Sequence, residues 1–96
     1  MIPEDSKMKA VITVTGKDCV GIIADVSAVC SKCNANIVEI TQSVLSEYFA
    51  MIMLADISKL NIPFAEFSDA LAAMGKEKCL DIRAMHEDIF NTMHHI

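Results

Sequence analysis

A chain of 96 residues with 13 Asp and Glu against 8 Lys and Arg is of single-domain size. Its acidic field repels phosphate backbones and anionic membranes, which argues against nucleic acid and membrane partners. Apolar residues make up 53% and seven of them are methionines; this exceeds the roughly 45–50% of ordinary soluble domains and points to self-association through an adaptable surface.

The opening MIPEDSKMKA has mixed charge and no apolar signal core. The longest apolar run, YFAMIMLA, is far shorter than the roughly 20 residues of a spanning helix. A cytoplasmic location is expected, with Cys19, Cys30, Cys33 and Cys79 as thiols.

Met8, Ala10, Ile12 and Val14 alternate with Lys9, Val11 and Thr13, the two-residue period of a first strand. From Val20 to Lys32 the positions of Ile22, Ile23, Val26, Val29, Cys30 and Cys33 form one helical stripe, and Asn34 is placed to end that helix in the left-handed conformation. NIVEITQSVL and YFAMIMLADI are rich in β-branched and aromatic residues and separated only by Ser46 and Glu47, so they read as a hairpin. In NIPFAEFSDALAAMG, Pro63 stands in a first helical turn, Phe64, Phe67, Leu71 and Met74 share a stripe, and Gly75 is read as the stop. LDIRAMHEDI alternates again, with Leu80, Ile82 and Ala84 on one side.

This βαββαβ order predicts an α+β, ferredoxin-like sandwich: a four-stranded antiparallel sheet with both helices on one face and strands two and four at its edges. On the other face, Val11, Met51 and Met53 are expected to point outward and to need a cover. Ile89, Phe90, Met93 and Ile96 have helical spacing in the tail. The expected organisation is one domain over residues 1–96, with a core over 7–89 and a tail over 90–96.

A βαββαβ chain with GKDCVGI between strand one and helix one, and NANIVEI opening strand two, resembles the ACT domain family. The ending HEDIFNTMHHI is similar to that of small stand-alone ACT proteins of uncharacterised function. The family consists of regulatory modules that bind amino acids or related metabolites, usually between two copies. Carried over by position, the resemblance implies a ligand site of Asp18, Cys19, Val20, Gly21 and Ile22, with Asn36 and Ile37 of the strand-two opening facing it. Gly16 is a departure, standing where some serine-binding relatives offer a polar side chain.

The chemistry of that turn is consistent with a zwitterion. A helix N-terminus offers unpaired N–H groups and about half a positive charge to a carboxylate, Gly21 would keep a Cβ out of the way, and Asp18 can attract an ammonium. Asp18 reads equally as a plain N-cap, and Asn36 as a turn residue. A phosphate loop is excluded, because Ile22 and Ile23 replace its Lys and Ser/Thr.

Cys30 and Cys33 lie on the apolar stripe near a helix C-terminus, where the dipole disfavours thiolate, so buried structural thiols are expected and no metal or other cofactor. His86 reads as a packed side chain, and no catalytic constellation is evident, so no enzymatic activity is expected. The sequence therefore points to a regulatory module sensing a small amino acid or similar metabolite at a subunit interface. The expected assembly is a homodimer or dimer of dimers, with an effector protein as its further partner. The alternative is a ligand-free interaction or assembly subunit.

Overall fold

The computed structural model describes residues 8–17 and 21–93. Its elements are β1 (Lys9–Gly16), α1 (Ile22–Lys32), β2 (Asn36–Leu45), β3 (Tyr48–Asp56), α2 (Phe64–Glu77), β4 (Asp81–His86) and α3 (Glu87–Met93). The strands pair antiparallel throughout in the order β2-β3-β1-β4. This is the ferredoxin-like sandwich, with β1 and β3 central and β2 and β4 at the edges. β1 starts one residue later than Met8 and runs on to Gly16, which pairs with Phe49.

The register decides which side chains form the core. Ile12 lies opposite Met53 and Val14 opposite Met51, and opposed residues project from the same face. All four are buried beneath α1 and α2 together with Ile22, Val26, Cys30, Phe67, Leu71 and Ile82. The expectation that Met51 and Met53 point outward is thereby corrected. YFAMIMLA is apolar at every position, so its alternation has no phase of its own until β1 supplies one. The outward residues of β3 are Tyr48, Ala50, Ile52 and Leu54, across from the outward Val11, Thr13 and Thr15 of β1.

Val11 does face away from the two long helices and is nevertheless buried. The short helix α3 packs on β1 and β4 and supplies the cover at that end of the sheet. Strand β4 stops at His86, whose ring stacks on Phe64 of α2 at 4.3 Å; this is the packed role expected of it.

Both long helices end in the same hydrogen-bonded motif. Asn34 is left-handed with φ 64°; its N–H donates to the Ser31 carbonyl at 3.2 Å, and Ala35 N–H donates to Cys30 at 2.8 Å. These are the two bonds of a Schellman cap.

In α2 the left-handed residue is Cys79, φ 59°, with Leu80 N–H donating to the Gly75 carbonyl at 2.8 Å. Gly75 is therefore not the stop: the helix passes through it to Glu77. A Cβ on Gly75 would sit 2.7 Å from the Leu80 carbonyl oxygen and 2.8 Å from Ile82 Cγ1, so this glycine serves a close helix–strand approach. Ile23 also leaves its assigned stripe, being 39% exposed.

Candidate ligand-binding site

Helix α1 begins at a glycine for a backbone reason. Gly21 is its N-cap with φ 76° and ψ 0°, a left-handed conformation that costs other residues strain. Nothing lies within 4 Å of where its Cβ would be, so crowding plays no part. The first intrahelical bond is Asp25 N–H to the Gly21 carbonyl at 3.0 Å. That leaves the N–H groups of Ile22, Ile23 and Ala24 without an intrahelical acceptor, and a glycine N-cap has no side chain to offer them.

The N-cap position thus belongs to Gly21 rather than to Asp18, correcting that reading. Asp18, Cys19 and Val20 themselves lie outside the described residues. The side chain of Ile22 is buried in the core, so only its backbone can meet a ligand. Gly16, at the end of β1, is a packing glycine: a side chain there would run into Leu80 Cδ2. A larger side chain at this position has no room unless Leu80 moves.

The second half of the predicted site lies elsewhere. Asn36 pairs with Asp56, which also pairs with Lys9, whereas Gly16 pairs with Phe49. Asn36 and Ile37 therefore open β2 at the end of the sheet opposite to the Gly21 turn. At about 3.3 Å per residue, an eight-residue strand separates them by roughly 25 Å. Within one chain Asn36 does not face Gly21, and the residues expected at one ligand site stand in two separate halves.

The Asn36 half is a shaped hollow. A cavity of about 370 Å³ between α1 and the start of β2 is lined by Ser27, Cys30, Ser31, Asn34, Asn36 and Ile37, among others. A neighbouring one of about 240 Å³ shares Asn34 and Asn36 with Asp56, Ser58 and Lys59. Its rim is held rigidly. Asn61 donates from its N–H to the Cys33 carbonyl at 3.0 Å and from Nδ2 to Lys32 at 3.0 Å, and Asn34 Nδ2 donates to the Lys59 carbonyl at 2.8 Å. Asn34 is thus engaged in structure, while among the described residues no side-chain hydrogen bond occupies Asn36. Ser27 and Ser31 escaped the sequence reading because isolated serines on a helix carry no motif.

Cys30 lines the first of these hollows as a thiol rather than a thiolate. Cys30 and Cys33 are buried and unbonded. Burial, reinforced by the neighbouring Cys33, pushes the Cys30 pKa up to about 11, which keeps it a thiol at neutral pH. Among the described residues no group of three or more His, Cys, Asp or Glu is placed to hold a metal ion, and no helix is long and apolar enough to cross a membrane.

Three further residues, not singled out by the sequence, meet beside the Gly21 turn. Lys17 Nζ lies 3.1 Å from Glu47 Oε2 and 5.6 Å from the ring centre of Tyr48. Only the register, with Gly16 opposite Phe49, brings the end of β1 beside the hairpin turn.

Comparison with known proteins agrees with this architecture. The chain is 46% identical over 89 residues to a UPF0237 protein of Clostridium perfringens, covering 93% of this chain and 100% of that one. It is 46% identical over 86 residues to one of Methanococcus maripaludis, covering 90% and 96%. An ACT domain protein from Streptococcus pneumoniae superposes with a TM-score of 0.75 at 37% identity, covering 86% of this chain and 93% of that one. The model of the ACT domain matches residues 9–84, from the start of β1 into β4, and the chain belongs to the ACT domain family of regulatory, generally amino-acid-binding modules.

Proposed function

We propose that this chain is a stand-alone regulatory module that binds a small amino acid or related metabolite in a site shared by two copies, and that occupancy changes its contact with an effector protein. The observation that carries the reading is the separation of the two half-sites along an exposed edge strand. Residues 38–45 of β2 are all exposed, with Val38 at 51%, Ile40 at 40% and Val44 at 70%. The strand has one acid and no lysine or proline to block pairing, so it invites a second sheet.

Two β2 strands related by a two-fold axis run antiparallel. Each Asn36 then approaches the far end of the partner's strand, the end at which the Gly21 turn lies. Pairing would join the two half-sites that one chain holds apart. The first-turn N–H groups of α1 would donate to the ligand carboxylate, Asp18 would attract its ammonium, and Asn36 with the Ile37 backbone would close the site from the other copy.

Light scattering combined with a thermal-shift screen of the twenty amino acids tests this. A mass double or four times 10.5 kDa is expected, and an amino acid at 100 times its dissociation constant should add about 2.7 kcal/mol of stability. Ile40→Lys should abolish both. A monomer mass for the wild type would sink the shared site. A dimer that responds to none of the twenty would favour the ligand-free assembly subunit, which the exposed Leu45 (77%) and Tyr48 (54%) of the hairpin tip would then serve.

A further inference from the structure

The two hollows at the start of β2 meet at Asn34 and Asn36, which line both, but their polar groups differ in what they have left to offer. Around the smaller hollow those groups already bond to one another. Asn34 Nδ2 donates to the Lys59 carbonyl at 2.8 Å, and Asp56 Oδ1 accepts from Ser58 N–H at 2.9 Å and from Ser58 Oγ at 2.6 Å. In the larger hollow of about 370 Å³, among the described residues, no side-chain hydrogen bond occupies Ser27, Ser31 or Asn36.

Ser27 and Ser31 stand one turn apart on α1, so both reach the same hollow. Asn36 lines it from the first position of β2. Its remaining walls include Ala35, Ile37 and the neutral thiol of Cys30, and no residue lining it carries a charged side chain. The exposed part of β2 begins directly beyond Ile37, so a second copy paired on that edge would roof the hollow and expel water from it.

Two hydroxyls and a carboxamide can each donate and accept. In the closed hollow a charged side chain would find no counter-charge, and an aliphatic one would leave these three groups unpaired. We propose that this hollow receives the ligand's side chain, and that Ser27 and Ser31, beside Asn36, select an amino acid whose side chain ends in a hydroxyl or a carboxamide. The assignment rests on the amino-acid-sensing reading above and names the ligand class for it; no residue of the β1–α1 turn enters it.

Calorimetric titration of the full chain with each of the twenty amino acids tests this, read as matched pairs: serine against alanine, threonine against valine, asparagine and glutamine against leucine. The tightest binder should be a polar member of these pairs. Ser27→Ala and Ser31→Ala should each weaken that binder by about two- to ten-fold, the range of one neutral hydrogen bond. Affinity for its aliphatic counterpart should stay unchanged, so the preference between the two shrinks. Ser27 is half-buried and Ser31 exposed, and alanine is the better helix former, so the urea midpoint should hold or rise slightly.

An aliphatic or charged amino acid as the tightest binder would overturn the assignment and leave the sensor standing. So would a polar binder whose preference over its counterpart survives intact in both serine variants. Binding by none of the twenty would remove the sensor and the assignment together.

Discussion

Two glycines that look alike in sequence do opposite work. Gly21 is required by its positive φ in open space, so Gly21→Ala should cost about 1 kcal/mol through backbone strain alone, and Gly21→Asn should recover most of it. Gly75 has an ordinary helical backbone and no room, because a methyl would meet the Leu80 carbonyl and Ile82. Gly75→Ala should therefore cost about 1–3 kcal/mol despite alanine's better helix propensity. Urea unfolding of both variants checks the contrast, and a stabilising Gly75→Ala would contradict the close approach.

Cys30 supplies a pH signature. Its pKa rises from 9.0 in the unfolded chain to about 11 in the folded protein, so in that window the unfolded chain has released a proton that the folded protein keeps. Stability is fully present below pH 9 and falls as pH rises to 11, by about 2–3 kcal/mol. Comparing urea midpoints of wild type and Cys30→Ala across this range isolates the effect, since the variant should lack that part of the slope.

At the scale of elements, the strands and long helices follow from local pattern, while their ends and phases depend on neighbours. The β2 boundaries are legible because Asn34 terminates α1 and the two-residue Ser46–Glu47 loop closes the hairpin, with Ser46 at φ 57°. The end of α2 is not legible, because a cysteine takes the left-handed position where a glycine would be the usual signal.

Helix α3 shows the same dependence on neighbours. Its apolar spacing is visible in sequence, but its role appears only with Val11, a face-out residue that is 5% exposed. Deleting residues 87–96 should uncover Val11 and the adjoining sheet, costing at least about 1–2 kcal/mol and raising binding of a hydrophobic dye. A truncated chain with unchanged midpoint and no dye response would show that α3 is not the cover.

For the whole molecule, a site split between copies has a thermodynamic consequence that no single chain can show. If the ligand bridges two protomers, the factor by which it tightens the dimer must equal the factor by which dimerisation tightens the ligand. Sedimentation over a dilution series, with and without the bound amino acid, should show the dimer midpoint shifting to lower concentration by that factor. An unchanged midpoint would place the whole site within one chain.

The sequence by itself determined the βαββαβ order, the edge position of β2 and the structural thiols, because each follows from local periodicity; that Gly21 itself caps α1 in a left-handed conformation came from the structure. Tertiary structure alone decided that Met51 and Met53 point inward, that Gly75 lies inside its helix, and that Asn36 stands a strand's length from Gly21. It alone brought Lys17 to Glu47 and Tyr48. In a strand that is apolar at every position, only the hydrogen-bonded register to a neighbour tells one face from the other. Register likewise assigns residues distant in sequence to the same or opposite ends of the sheet.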